Sequence, residues 1–208
     1  TTKNFLKNLQ IPLIEVSLKQ ELGYSMQEAK KDYPNNLCAL CGTLKRKIFN
    51  VITKKVEFDV FCTGHNLEDE AENLLADNLR WDWEYMKKCS PVLKASHGFV
   101  KRAKPFFSTK ESDILQLVQE KNIPFLKSPC PYSVKGSRHK YKAVLHSLES
   151  FFPGGVAGYY FQFLKKSSFL KAIPEKDLIL RPCQSCGEST TQTHCKACLI
   201  ISKQWKRG

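Results

Sequence analysis

The sequence has no run of about 18 apolar residues, so no helix long enough to cross a membrane is expected. It shows no signal-peptide pattern, no internal repeat and no low-complexity stretch, which argues against a solenoid or a disordered tail. Its 10 glycines nowhere form a loop of the kind that cradles a polyphosphate with backbone N–H groups. Acidic residues are in deficit, with 20 Asp and Glu against 33 Lys and Arg, and the net charge is +13. A field of this sign disfavours cationic partners and favours a polyanion such as nucleic acid.

What is present suits one ordinary domain with a small appendage: 208 residues, 42% hydrophobic and 25% charged. The basic residues gather in four patches: Lys45-Arg46-Lys47, Lys101-Arg102-Ala103-Lys104, Lys135 to Lys142 and Lys203 to Arg207. Nine cysteines are many for this length. An odd count in paired spacings, without an export signal, points to metal sites in a reducing, cytoplasmic compartment rather than to a disulfide scaffold.

The strongest pattern is Cys183-x-x-Cys186 followed, after eight residues, by Cys195-x-x-Cys198. Four thiolates close a tetrahedral zinc shell with no open position, so the expected role is structural. So short a tail has no core of its own, and the metal supplies its folding energy. His194 adjoins Cys195, but with four cysteines available it is not expected as a ligand.

The second pattern is Cys38-x-x-Cys41 with Cys130 far downstream, between Pro129 and Pro131. A lone CxxC is compatible with a redox pair, half a zinc site or an iron–sulfur corner. Three cysteines can hold three irons of a four-iron cluster and leave the fourth iron open. Cys62, in an apolar stretch, is expected in the core. Cys89 carries no assigned function.

The expected organisation is a catalytic domain over 1–150, a helical extension over 151–178 and a four-cysteine module over 179–208. Ile11 to Val16 reads as a short strand. A helix is expected over 25–31 from Ser25, and another from Thr43 to about Lys54, with Leu44, Ile48 and Val51 or Ile52 on one face. Val56 to Thr63 is the best strand, stopping at Gly64. A helix follows from about Leu67, with Ala71, Leu74, Leu75 and Leu79 at helical spacing. Its first turn holds Glu68, Asp69 and Glu70, which suit the helix dipole. A strand end, a glycine and an acidic helix start make an α/β ligand edge. Further helices are expected over 108–122, with Ile114, Leu115 and Val118 inward, and over about 137–150 and 156–171. Ile123 to Phe125 is a possible strand.

Cys38-Ala-Leu-Cys-Gly-Thr-Leu-Lys-Arg46, Cys62-Thr-Gly-His-Asn-Leu-Glu-Asp-Glu-Ala71, Lys104-Pro105, Cys130-Pro-Tyr-Ser133 and the terminal cysteine pairs together resemble one family. It is the tRNA 2-thiouridine synthetases of the archaeal, thermophilic-bacterial and eukaryotic-cytosolic type. The resemblance implies an adenine-nucleotide α-hydrolase-like (PP-loop) α/β fold, a parallel sheet with helices, lacking here its first strand and loop, plus a C-terminal zinc module. It implies ATP-dependent adenylation of a uridine 2-oxygen, then sulfur transfer to C2 and departure of AMP. It also implies that Cys38, Cys41 and Cys130 hold a [4Fe-4S] cluster. Lys45 and Asp69 fall at nucleotide and catalytic positions, with ATP and Mg²⁺, and Gly64 lets the strand end approach ATP. The implied partners are tRNA and a sulfur donor, often a ubiquitin-like protein with a C-terminal thiocarboxylate, with a homodimer possible.

The chain departs from that pattern in three ways. The glycine-rich SGGxDS loop with its strand is absent, the N-terminal zinc module is absent, and Glu68 stands where Asp is usual. Because the first residue is Thr1, a fragment or trimmed chain is expected; a loop-supplying second subunit is the other account. As written, the chain alone is expected to bind ATP poorly and not to turn over. Two other readings stay open: a cytidine 2-thiolase relative, and a non-catalytic, zinc-containing tRNA-binding subunit.

Overall fold

The computed structural model describes residues 2–96, 98–126, 130, 132, 138–172 and 179–205, without the side chains of 138, 139, 171 and 172. The chain opens with helices α1 Thr2–Asn8, α2 Leu18–Leu22, α3 Met26–Asp32 and α4 Leu37–Lys55. Strand β1 Val60–Cys62 leads into α5 Leu67–Leu79 and α6 Trp83–Met86. Strands β2 Val92–Leu93 and β3 Lys101–Ala103 precede α7 Glu111–Glu120, α8 Arg138–Phe151 and α9 Gly155–Lys166. A 3-10 turn, Ser167–Ala172, ends that helical run. The tail holds β4 Arg181–Pro182, β5 Ser189–Thr190 and α10 Lys196–Ile201. No helix among the described residues is long and apolar enough to cross a membrane.

The sheet order is β1-β3-β2. β1 and β3 are parallel, with Val60 opposite Lys101, as the α/β class requires. β2 joins β3 antiparallel, with Val92 opposite Ala103.

Local chemistry explains where the helices begin. Ser25 caps α3 in a capping box, its hydroxyl accepting from Glu28 N–H while Glu28 accepts from Ser25 N–H. Asn66 and Asp69 make the same reciprocal pair at the start of α5, at 2.9 and 3.2 Å. The longest helix starts six residues earlier than expected. α4 runs from Leu37, so Cys38 and Cys41 lie on the helix rather than in a turn before it. Gly42 costs about 1 kcal/mol in a helix interior, but the Arg46 guanidinium lies over it, 3.5 Å from where a Cβ would stand.

Other expectations are corrected. Val56 to Thr63 is not one strand: Val56 ends α4, Glu57 takes φ 55, and only Val60–Cys62 pairs. The β-branched run is spent on leaving the helix, with Phe58 N–H donating to Thr53 O at 3.1 Å. Ile11 to Val16 forms no ladder among the described residues, and Ile123 to Phe125 is a loop. Cys62 is exposed, at the end of a strand whose pattern is exposed–intermediate–exposed. Leu79 and Leu115, expected inward, are 65% and 43% exposed. The expected 108–122 helix is shorter at both ends, α7 Glu111–Glu120, and the Glu68 carboxylate caps it by accepting from Glu111 N–H at 2.9 Å.

Two cores hold the chain together. One joins Leu67, Ala71 and Leu74 of α5 with Met86, Cys89, Leu145 of α8, and Val156 and Tyr160 of α9. The other joins Tyr24, Ala29 of α3, and Leu40 and Leu44 of α4 with Ala197 and Ile200 of α10. Each fully buried leucine among these contributes roughly 1.5–3 kcal/mol. The first core runs across the division expected near 150, and the second joins the start of the chain to the tail beyond 178.

Candidate active site and metal centre

α4 presents Cys38 and Cys41 one turn apart on one face, and Lys45 one turn further on. Cys38 is exposed, Cys41 intermediate and Lys45 exposed. The Cys38 thiol donates to the Tyr132 carbonyl at 3.3 Å. The CxxC helix therefore touches the loop that carries Cys130, which is also exposed. Lys30 Nζ lies over the Tyr132 ring, 5.7 Å from its centroid. Pro129, Pro131 and Ser133 lie outside the described residues.

The second group of expected residues lies at the end of β1. Thr63 N–H donates to Ala103 O at 3.0 Å, which fixes the strand end. A Cβ on Gly64 would meet no atom within 4 Å, so the space beside this turn is open. His65 Nδ1 is 2.7 Å from the Thr63 hydroxyl and is satisfied locally. Asp69 spends its Oδ2 on the Asn66 N–H, which places its carboxylate at the first turn of α5 beside Gly64.

The four tail cysteines form the metal-type group among the described residues. Their sulfurs lie within 4.8 Å of one another. Cys186 and Cys195 sulfurs are 3.7 Å apart, close to the roughly 3.8 Å edge of a tetrahedron built on Zn–S bonds of about 2.3 Å. The first knuckle turns through Gly187 at φ 73, whose N–H donates to Cys183 O at 2.8 Å. Burial raises the Cys183 pKa, but N–H groups of Cys195, Ser185 and Cys186 outweigh it and bring the thiol down to about 6. Burial and then neighbouring sulfurs push Cys195 and Cys198 the other way, so it is the gathering of the four sulfurs that suits a zinc ligand set. His194 is turned to the Ser185 hydroxyl at 2.9 Å, and the donor set is four sulfurs. By contrast, Cys38, Cys41 and Cys130 do not crowd around one point. Cluster ligands each bind a different iron, so wider spacing suits them.

The basic patches divide on inspection. Lys104, counted in the second basic patch, is ion-paired with Glu70, which is fully buried. Lys142 pairs with Glu111, and Lys203 with Asp32 at 3.2 Å. Lys45, Arg46 and Lys101 are exposed. Arg102 is intermediate, donating to Asn50 Oδ1 at 3.1 Å, and burial and then the nearby Arg46 charge lower its pKa. Lys135 and the end of the Lys203 to Arg207 tail lie outside the described residues, as do the side chains of Arg138 and His139.

Three groups were missed from sequence. Glu70 is on the buried stripe with Leu67, Ala71 and Leu74, a position readable from the helical period. Cys89 is core, and burial first, then Asp77, pushes its thiol up to about 12. Lys47, placed in a surface patch, donates to Cys186 Sγ at 3.1 Å. Nothing in the sequence signals that contact.

No family model matches the chain. It is 35% identical over 186 residues to the tRNA-5-methyluridine(54) 2-sulfurtransferase of Thermotoga maritima, covering 89% of this chain and 60% of that protein. It is 32% identical over 197 residues to the enzyme of that name from Pyrococcus horikoshii, covering 94% and 62%. Cytoplasmic tRNA 2-thiolation protein 1 of Xenopus laevis is 26% identical, with 97% and 58% covered. Among solved structures, the U34-tRNA thiolase NcsA from Methanococcus maripaludis with its [4Fe-4S] cluster matches at a TM-score of 0.78 and 26% identity. That match covers 100% of this chain and 65% of the other. The chain thus spans about three fifths of the length of the curated relatives it matches. Over nearly its whole length, and in its fold, this chain is similar to tRNA 2-thiolation proteins.

Proposed function

We propose that this chain forms the sulfur-transfer part of a tRNA 2-thiolation enzyme. In the reaction, ATP adenylates the 2-oxygen of a uridine and pyrophosphate leaves. Sulfur then attacks C2, and AMP departs with the oxygen to leave 2-thiouridine. The observation that carries this reading is the contact between Cys38 and the Tyr132 carbonyl, which joins the CxxC helix to the Cys130 loop. The matched thiolase structure bears a [4Fe-4S] cluster.

Cys38, Cys41 and Cys130 hold the cluster, which when bound supplies an open iron for sulfur. Lys45 sets an ammonium on the same helix face, where it offsets phosphate charge of the nucleotide and tRNA. Asp69, oriented by its capping box, and the open space at Gly64 receive ATP with its Mg²⁺. Cys183, Cys186, Cys195 and Cys198 hold zinc in a closed structural site. A ubiquitin-like or other sulfur donor and a second subunit are the further partners. The cytoplasm is the compartment, in keeping with nine cysteines of which none forms a disulfide. The Thermotoga and Pyrococcus enzymes and the matched thiolase act by their names on a uridine or 5-methyluridine, which favours uridine over the cytidine alternative.

tRNA contact is testable on Arg46 and Lys101, which are exposed, rather than on Lys104. Arg46→Glu with Lys101→Glu is expected to weaken tRNA binding roughly tenfold near 0.1 M salt. The slope of log affinity against log salt should fall by about 1 for each phosphate that the protein ceases to neutralise. Filter binding across a salt series reads both. An unchanged affinity and slope would remove this face from the tRNA interface.

A further inference from the structure

α4 carries two sets of groups. Its first half presents Cys38, Cys41 and Lys45, and its second half presents Lys47 and Lys54. The tail module grips this helix twice. Ala197 and Ile200 of α10 share a core with Leu40 and Leu44. Beside that core, Lys47 Nζ donates to Cys186 Sγ at 3.1 Å, while Glu188 Oε1 lies 3.0 Å from Lys54 and 4.0 Å from Lys47. The Lys47 side chain is only 10% exposed and Glu188 only 14%. An ammonium so enclosed is not an ordinary surface lysine.

We propose that Lys47 is the positioning residue that couples the four-cysteine metal site to the helix bearing the CxxC pair. The inference rests on the proposed zinc reading. A divalent ion with four thiolates carries net negative charge, and the ammonium of Lys47 offsets it through a hydrogen bond to one sulfur. Cys195 is the N-cap of α10 and Cys198 lies in its first turn, so the bound ion also fixes the start of α10. α10 in turn covers Leu40, which lies between Cys38 and Cys41. Metal binding in the tail therefore steadies the presentation of the cysteines on α4. Loss of the ion releases α10 and loosens α4, while the core of α5, α8 and α9 is untouched because it shares no residue with the core that joins α4 to α10.

The test uses the zinc-loaded chain, with zinc release to a chromophoric chelator and hydrogen exchange as readouts. Lys47→Met, which keeps the stem and removes the charge, is expected to release zinc about tenfold faster. Peptides from 37–55 and 196–201 should lose protection, with those from α5 and α9 unchanged. Lys47→Arg, which keeps a cationic donor, should recover part of the effect. Wild-type chain stripped of zinc should show the same pattern of reduced protection. Zinc held as tightly in Lys47→Met as in wild type, or faster release with α4 protection unchanged, overturns the coupling alone. A wild-type chain that takes up no zinc overturns the metal reading beneath it and the coupling with it. If Lys47→Met unfolds throughout, the stripped wild-type chain decides: loss confined to α4 and α10 supports the coupling, and uniform loss contradicts it.

Discussion

Lys104→Met is expected to lower the stability of the chain by about 3–5 kcal/mol, the usual cost of stranding one member of a buried ion pair. Glu70 sits on the inner face of α5 at 0% exposure, and Lys104 at the end of β3 reaches its Oε2. The Tyr160 hydroxyl of α9 has one proton to share between Cys89 O at 2.9 Å and the same Glu70 oxygen at 3.3 Å. Glu70 Oε1 has no hydrogen-bond partner among the described residues, so the carboxylate has little reserve once the ammonium is gone. In a chain of this size the loss corresponds to a fall in Tm of roughly 6–20 °C. Adding Glu70→Leu to Lys104→Met should recover most of it, since two apolar groups leave no charge stranded. Denaturant titration of the single and double variants reads the difference. A single variant within about 1 kcal/mol of wild type would show that the pair is not what holds α5 to β3.

Cys130→Ser is expected to remove the cluster and abolish 2-thiouridine formation in the full enzyme while leaving tail zinc in place. The physical ground is separation: Cys130 belongs to the loop at Tyr132, and the four tail sulfurs form a closed set of their own. A serine oxygen is a poor iron ligand beside a thiolate, because soft sulfur donors select clusters. The visible absorption of the reconstituted protein and nucleoside analysis of the tRNA read the two losses. Retained absorption and full thiolation would reject Cys130 as a ligand, and a loss of zinc would show that the sites are not independent.

Much of this was legible from residue order alone. Ser25 signals the start of α3, the acidic turn Glu68 to Glu70 that of α5, and Leu44 and Ile48 signal the inner face of α4 by spacing. The two CxxC pairs of the tail signal a closed sulfur set, and the structure gathers all four sulfurs. Other features are decided by distant partners. The Pro34 to Asn36 turn and Gly42 suggest a late start for α4, yet burial of Leu40 and the cover of Arg46 carry the helix back to Leu37. Val56 to Asp59 have strand-like composition but serve to end α4, because Glu57 adopts a left-handed turn. Lys47 and Lys104 look like members of basic surface patches. Their partners, Cys186 and Glu70, lie 139 and 34 residues away, beyond the reach of any local pattern.

The most direct measurement is iron, acid-labile sulfide and zinc per chain after anaerobic purification and reconstitution. The account predicts about four irons and four sulfides beside one zinc, with the iron lost on replacing Cys38, Cys41 or Cys130 and the zinc lost on replacing a tail cysteine. Zinc alone, with no iron retained after reconstitution, would contradict the sulfur-transfer reading and leave a zinc-containing tRNA-binding subunit.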